Sequence, residues 1–91
     1  MTQRITILGS TGSIGQSTLD VIARHPGRYE VFALTAATQV ELMLKQCAIY
    51  RPRFAVMASE VHGRLLGDRV KAEGLPVEVL WGAEAIEAVA G

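Results

Sequence analysis

Strand-like and helix-like stretches alternate four times along this 91-residue chain, and the connections between them are short. A glycine-rich turn separates the first strand from the first helix. Together these features predict an α/β fold, an open parallel sheet built by right-handed crossovers with helices on both faces.

The elements follow in order from local chemistry. Arg4 to Gly9, "RITILG", reads as a short buried strand closed by glycine. From Ile14 to Arg24, Ile14, Thr18, Val21 and Ile22 recur at helical spacing, and His25-Pro26-Gly27 stops that helix. Val31 to Ala36 is the second strand. Val40, Met43, Leu44, Cys47 and Ala48 form an amphipathic stripe that ends before Pro52. Phe54 to Met57 is a third strand. Ser59 precedes a helix that runs to about Glu73 with Leu65, Leu66 and Val70 facing inward. Gly74 and Pro76 close it, Val77 to Leu80 is a fourth strand, and Ala83 to Ala90 a final helix.

Composition bounds the function. Apolar residues make up 49% and charged residues 20%, which places the chain among globular domains. Nine basic and nine acidic side chains cancel, against the basic excess that nucleic-acid binding requires. A lone Cys47 excludes an internal disulfide and fits a reducing, cytoplasmic setting. The first strand starts too early to leave room for a signal peptide, and no apolar run reaches membrane-spanning length. One small domain is expected over residues 1–91. A doubly wound sheet returns past its first strand to build a second half, so the segment is expected to be the front portion of a larger domain.

The stretch "ILGSTGSIGQSTL" carries the chemistry. Gly9, Gly12 and Gly15 fall at three-residue spacing where the first strand hands over to a helix. A helix N-terminus offers unpaired N–H donors and the positive end of a dipole, and bare backbone lets a phosphate approach them. Gly12 and Gly15 match the last two glycines of the dinucleotide fingerprint, whose first glycine falls on Ser10, with Gly9 displaced by one. No Gly-Lys-Ser/Thr follows, which excludes a mononucleotide P-loop. An ordinary capped turn has use for one glycine; three favour a Rossmann-like dinucleotide site. No acid lies between Val31 and Val40 to hold a ribose 2′-hydroxyl, which favours NADP over NAD.

"ITILGSTGSIGQSTLDVIARHP", with "YEVFAL", "RPRFAVM" and "VEVLWG", resembles the N-terminus of the 1-deoxy-D-xylulose 5-phosphate reductoisomerase family, from about Arg4 to Gly91. The resemblance implies NADPH contacts at Thr11, Gly12, Ser13 and Ile14. It implies a second contact segment at Ala37, Thr38 and Gln39, where the family commonly has Gly, a variable residue and Asn. It also implies a Mg- or Mn-dependent rearrangement and reduction to 2-C-methylerythritol 4-phosphate in isoprenoid synthesis, carried out by a homodimer. The family's metal-binding acids, lid and substrate-phosphate residues come from later in its chain, so this segment is expected to hold cofactor and to be inactive alone. The alternative readings are a non-catalytic dinucleotide sensor, or an interaction module recruiting a strand to its sheet edge, through which the segment is also expected to self-associate.

Other residues have plainer explanations. His25 belongs to a helix stop, and His62 has no Cys or second His at ligand spacing. Cys47 and Met43 share an apolar stripe, Asp20 reads as surface, Arg51-Pro52-Arg53 as a solvated connection, and Trp81 as packing.

Overall fold

A computed structural model describes residues 2–91, and among them four strands alternate with four helices. The strands are β1 (Gln3–Ile7), β2 (Tyr29–Ala36), β3 (Phe54–Met57) and β4 (Glu78–Trp81). The helices are α1 (Ser13–Ala23), α2 (Val40–Tyr50), α3 (Glu60–Ala72) and α4 (Ala83–Ala90). The sheet is parallel throughout and its spatial order, β1-β2-β3-β4, follows the chain. This is the Rossmann-like arrangement expected from the alternation.

Both faces of the sheet are covered, unequally. Ile7, Leu34, Ala55 and Met57 pack with Leu19 and Ile22 of α1, Met43, Leu44 and Cys47 of α2, and Leu66 and Val70 of α3. On the other face, Ala33 and Val56 meet Val89 of α4, flanked by Phe32, Phe54 and Ile86. Alternation along β3 is strict, with Phe54 and Val56 on one face and Ala55 and Met57 on the other. In β2 it is broken. Ile5 pairs with Val31 but Thr6 pairs with Ala33, which inserts Phe32 as an extra residue. The bulge puts Val31 and Leu34 on the same face, although they are three apart.

The elements follow the sequence expectation with shifts at their ends. β1 closes at Ile7, β2 begins two residues earlier, and β4 runs one residue later. The inward faces of three helices differ from those read off the pattern. On α1, Gly15, Leu19 and Ile22 are buried, while Ile14 and Val21 face solvent. On α2, Gln46 is buried and Ala48 exposed; on α3, Gly63 is buried and Leu65 exposed. Gly15 and Gln46 lie against the backbone of the turn after β1, and Gly63 against the Trp81 side chain; apolar counting passes over such small or polar residues.

Candidate functional site

The glycine turn lies at the carboxyl end of β1, beside the carboxyl end of β2, where open parallel sheets place their ligands. Gly9 takes φ +69°, a left-handed conformation that supplies the tight turn. Ser10, which occupies the first fingerprint position, is instead fully buried, with its hydroxyl 3.8 Å from Met43 Sδ. The displaced glycine therefore does the turning. Gly15 allows close approach: a Cβ there would lie 2.3 Å from the Gly9 carbonyl oxygen and 2.6 Å from Ser10 Cα.

Gly12 is different. It is the N-cap of α1 at φ −77° and ψ 169°, angles open to any residue. A Cβ there would meet Gly9 O at an ordinary 3.4 Å. N-caps favour Ser, Thr, Asp or Asn, whose side chains satisfy the first helical N–H groups. Here no side chain caps α1 and its first turn holds no acid. The first helical bond runs from Gln16 N–H to Gly12 O, which leaves the N–H groups of Ser13, Ile14 and Gly15 without helical partners. Gly12, Ser13 and Ile14 are exposed and Thr11 half-buried. The arrangement can accept an anion on backbone donors at the positive end of a helix.

The second predicted segment is close in the fold. Thr35, near the end of β2, accepts Gly9 N–H on its hydroxyl at 3.0 Å and Ser10 N–H on its carbonyl at 2.8 Å. Ala37, Thr38 and Gln39 follow directly, all exposed, with Gln39 as the N-cap of α2. Arg51 alone among the described non-glycine residues has positive φ, so Ala37 occupies its position without glycine's angles. Glu41, the first acid after β2, is engaged by Arg69 of α3. No carboxylate precedes it from Val31 to Val40.

Three participants escaped the sequence reading. Thr35 ties both strand ends together, Gln16 donates its amide to Thr11 O at 2.9 Å, and Gln46 donates to Ser10 O at 2.8 Å. For Gln46 a signal existed: a polar residue between Met43 and Cys47 on an otherwise apolar stripe.

The remaining candidates have structural roles. His62 Nδ1 lies 2.8 Å from Ser59 Oγ, which also accepts His62 N–H at the start of α3. His25 is exposed beyond α1, and Asp20 pairs with Arg24 one turn on. Burial pushes the Cys47 thiol up to about 12. Trp81 lies against Gly63, with the Arg64 guanidinium 5.3 Å from its ring centre. Among the described residues no three His, Cys, Asp or Glu side chains come together to hold a metal ion. Glu60, like Asp20, pairs with an arginine on its own helix. The residues present do not fit the metal that the family resemblance implies.

The sequence model of 1-deoxy-D-xylulose 5-phosphate reductoisomerase matches residues 5–91. The chain belongs to the 1-deoxy-D-xylulose 5-phosphate reductoisomerase family. Reductoisomerases of Nitrosomonas europaea and Nitrosospira multiformis are 56% identical over 89 residues and 52% over 88. These matches cover 98% and 97% of this chain but 22% of each relative. Among solved reductoisomerases, one holding fosmidomycin and magnesium superposes with a TM-score of 0.92 at 35% identity, over 97% of this chain and 22% of that one. The Zymomonas mobilis enzyme in complex with NADPH superposes at 0.86 with 38% identity, over 93% and 22%. The chain thus spans about a fifth of the length of the reductoisomerases it matches. Among the described residues, no helix is long and apolar enough to cross a membrane.

Proposed function

We propose that this chain is the NADPH-binding segment of a reductoisomerase. The enzyme would rearrange 1-deoxy-D-xylulose 5-phosphate and reduce the product to 2-C-methyl-D-erythritol 4-phosphate in isoprenoid synthesis. The observation that carries the reading is Gly12. The fold does not require glycine at this position, yet the N-cap is bare and the N–H groups behind it are unpaired. A pyrophosphate seated there accounts for both.

In this reading Thr11, Gly12, Ser13 and Ile14 cradle the pyrophosphate through backbone donors and helix dipole. Ala37, Thr38 and Gln39 line the 2′-phosphate side of the ribose. Without a carboxylate to repel it, that phosphate is accepted by Thr38 and Gln39 as hydrogen-bond donors. NADPH supplies the hydride when bound; this segment contributes binding and orientation. The metal and the acids that hold it belong to the remainder of such an enzyme, which works in the cytoplasm as a homodimer.

The test is a chimera in which this segment replaces the corresponding residues of the Nitrosomonas europaea enzyme. The chimera is expected to oxidise NADPH in the presence of 1-deoxy-D-xylulose 5-phosphate, and the same chimera carrying Gly12→Val to lose that activity. A folded chimera with no turnover sinks the reading.

A further inference from the structure

Gln46 is 5% exposed, and its amide is divided in use. Nε2 donates to Ser10 O at 2.8 Å, while Oε1 is buried with no hydrogen-bond partner among the described residues. The amide orientation is set by chemistry, because only the nitrogen can face a carbonyl. A buried orphan oxygen is a cost that an apolar side chain of the same length avoids. The value of Gln46 therefore lies in its other end.

The peptides of the turn show what that end does. Gly9 N–H is held by Thr35 Oγ1, Ser10 N–H by Thr35 O, and Gly12 N–H by Gly9 O. Thr11 N–H makes no hydrogen bond among the described residues. Its peptide is the one whose carbonyl, Ser10 O, is fixed by Gln46. No peptide here is cis, and in a planar trans peptide the N–H points opposite to the C=O. Drawing Ser10 O inward onto Gln46 therefore turns Thr11 N–H outward. Gln16 fixes the next carbonyl, Thr11 O, in a similar way.

We infer that Gln46 is a positioning residue. From beneath the turn it orients the Ser10–Thr11 peptide so that Thr11 N–H joins those of Ser13 and Ile14 as a donor to the cofactor's pyrophosphate. The inference rests on the dinucleotide reading of the turn and deepens it, by naming the residue that decides which way the central peptide faces. Without that anchor the peptide can rotate and present a carbonyl to the phosphate, replacing attraction with repulsion. Because the pyrophosphate is common to both nicotinamide cofactors, Gln46 acts on NADPH and NADH alike.

The test follows the Thr11 amide by 15N NMR in the intact chain, with NADPH and NADH as titrants. Gln46→Met keeps length and apolar packing but removes both the donor and the orphan oxygen. It is expected to retain a thermal midpoint near the native one, to move the Thr11 signal in the free protein, and to weaken both cofactors by about tenfold or more, as loss of a hydrogen bond to a charged group does. Gln46→Glu places an acceptor against Ser10 O, and is expected to turn Thr11 N–H inward and slow its exchange with solvent. An unaltered Thr11 signal in both variants overturns the inference whatever the cofactors do. So does an affinity loss that merely tracks a fall in thermal midpoint. If the native chain leaves every turn signal unmoved by NADPH while Thr11 responds to both substitutions, the peptide anchor stands and the dinucleotide reading falls.

Discussion

The α carbon of Gly15 faces the carbonyl of Gly9 so closely that a Cβ would sit 2.3 Å from its oxygen. Helix α1 is held against the turn by an absence of side chain. The obstructing atoms are backbone, which no rotamer change relieves. Gly15→Ala should therefore destabilise the chain by about 1–3 kcal/mol through overpacking, although alanine is ordinarily the better helix former. Chemical denaturation measures this. A stability equal to or above native would mean that α1 can lift from the turn without loss.

Gly12 should behave in the opposite way. Its angles suit any residue, and a Cβ meets Gly9 O at 3.4 Å. Gly12→Val should leave the circular dichroism spectrum native and abolish NADPH binding in a full-length reductoisomerase carrying this segment. Unchanged affinity in a cofactor titration would remove the pyrophosphate from this turn.

Thr38→Asp tests the other end of the cofactor. Thr38 is exposed at the carboxyl end of β2, and the first natural acid beyond it, Glu41, is paired with Arg69. A carboxylate at 38 should weaken NADPH about tenfold more than NADH, because it repels a 2′-phosphate and can accept a hydrogen bond from a 2′-hydroxyl. Equal losses for the two cofactors would show that this segment does not face the ribose.

Strand β1 pairs with β2 along one side and has no strand on the other among the described residues. Such an edge is a template for association, and Leu8, Ile14 and Val21 add exposed apolar surface. Ile7 is only 5% exposed, because the α1 side of the core closes over it. The 91-residue chain should nevertheless self-associate. Sedimentation velocity across a concentration series checks this, and a monomer throughout would refute it.

The pH dependence of stability should show one alkaline limb from Cys47. Its thiol rises from 9.0 to about 12 because burial penalises the thiolate. A group whose folded pKa is raised stabilises fully below its unfolded pKa and loses that contribution as pH climbs toward the folded value. The window is therefore from pH 9.0 to about 12. At about pH 10.5 the native chain should have lost roughly 2 kcal/mol relative to Cys47→Ala, measured by urea unfolding of both at neutral and alkaline pH. Parallel pH profiles for the two proteins would contradict this.

The order and type of elements, the glycine turn and the absence of an acid from Val31 to Val40 were legible in the amino-acid sequence. They arise from local causes: apolar period, proline and glycine stops, and the chemistry of a bare helix start. The inward faces of α1, α2 and α3 were less legible. Gly15, Gln46 and Gly63 earn their burial from contacts with the turn and Trp81, partners between 5 and 36 residues away in the chain. The bulge at Phe32 likewise depends on how β1 pairs with β2, which no pattern within β2 reveals. Sequence alone determined that the start of α1 would be bare, glycine-lined backbone. Tertiary structure decided which donors are free, because the direction of each peptide in the turn is set by Thr35, Gln16 and Gln46, side chains from β2, α1 and α2 that folding brings to one place.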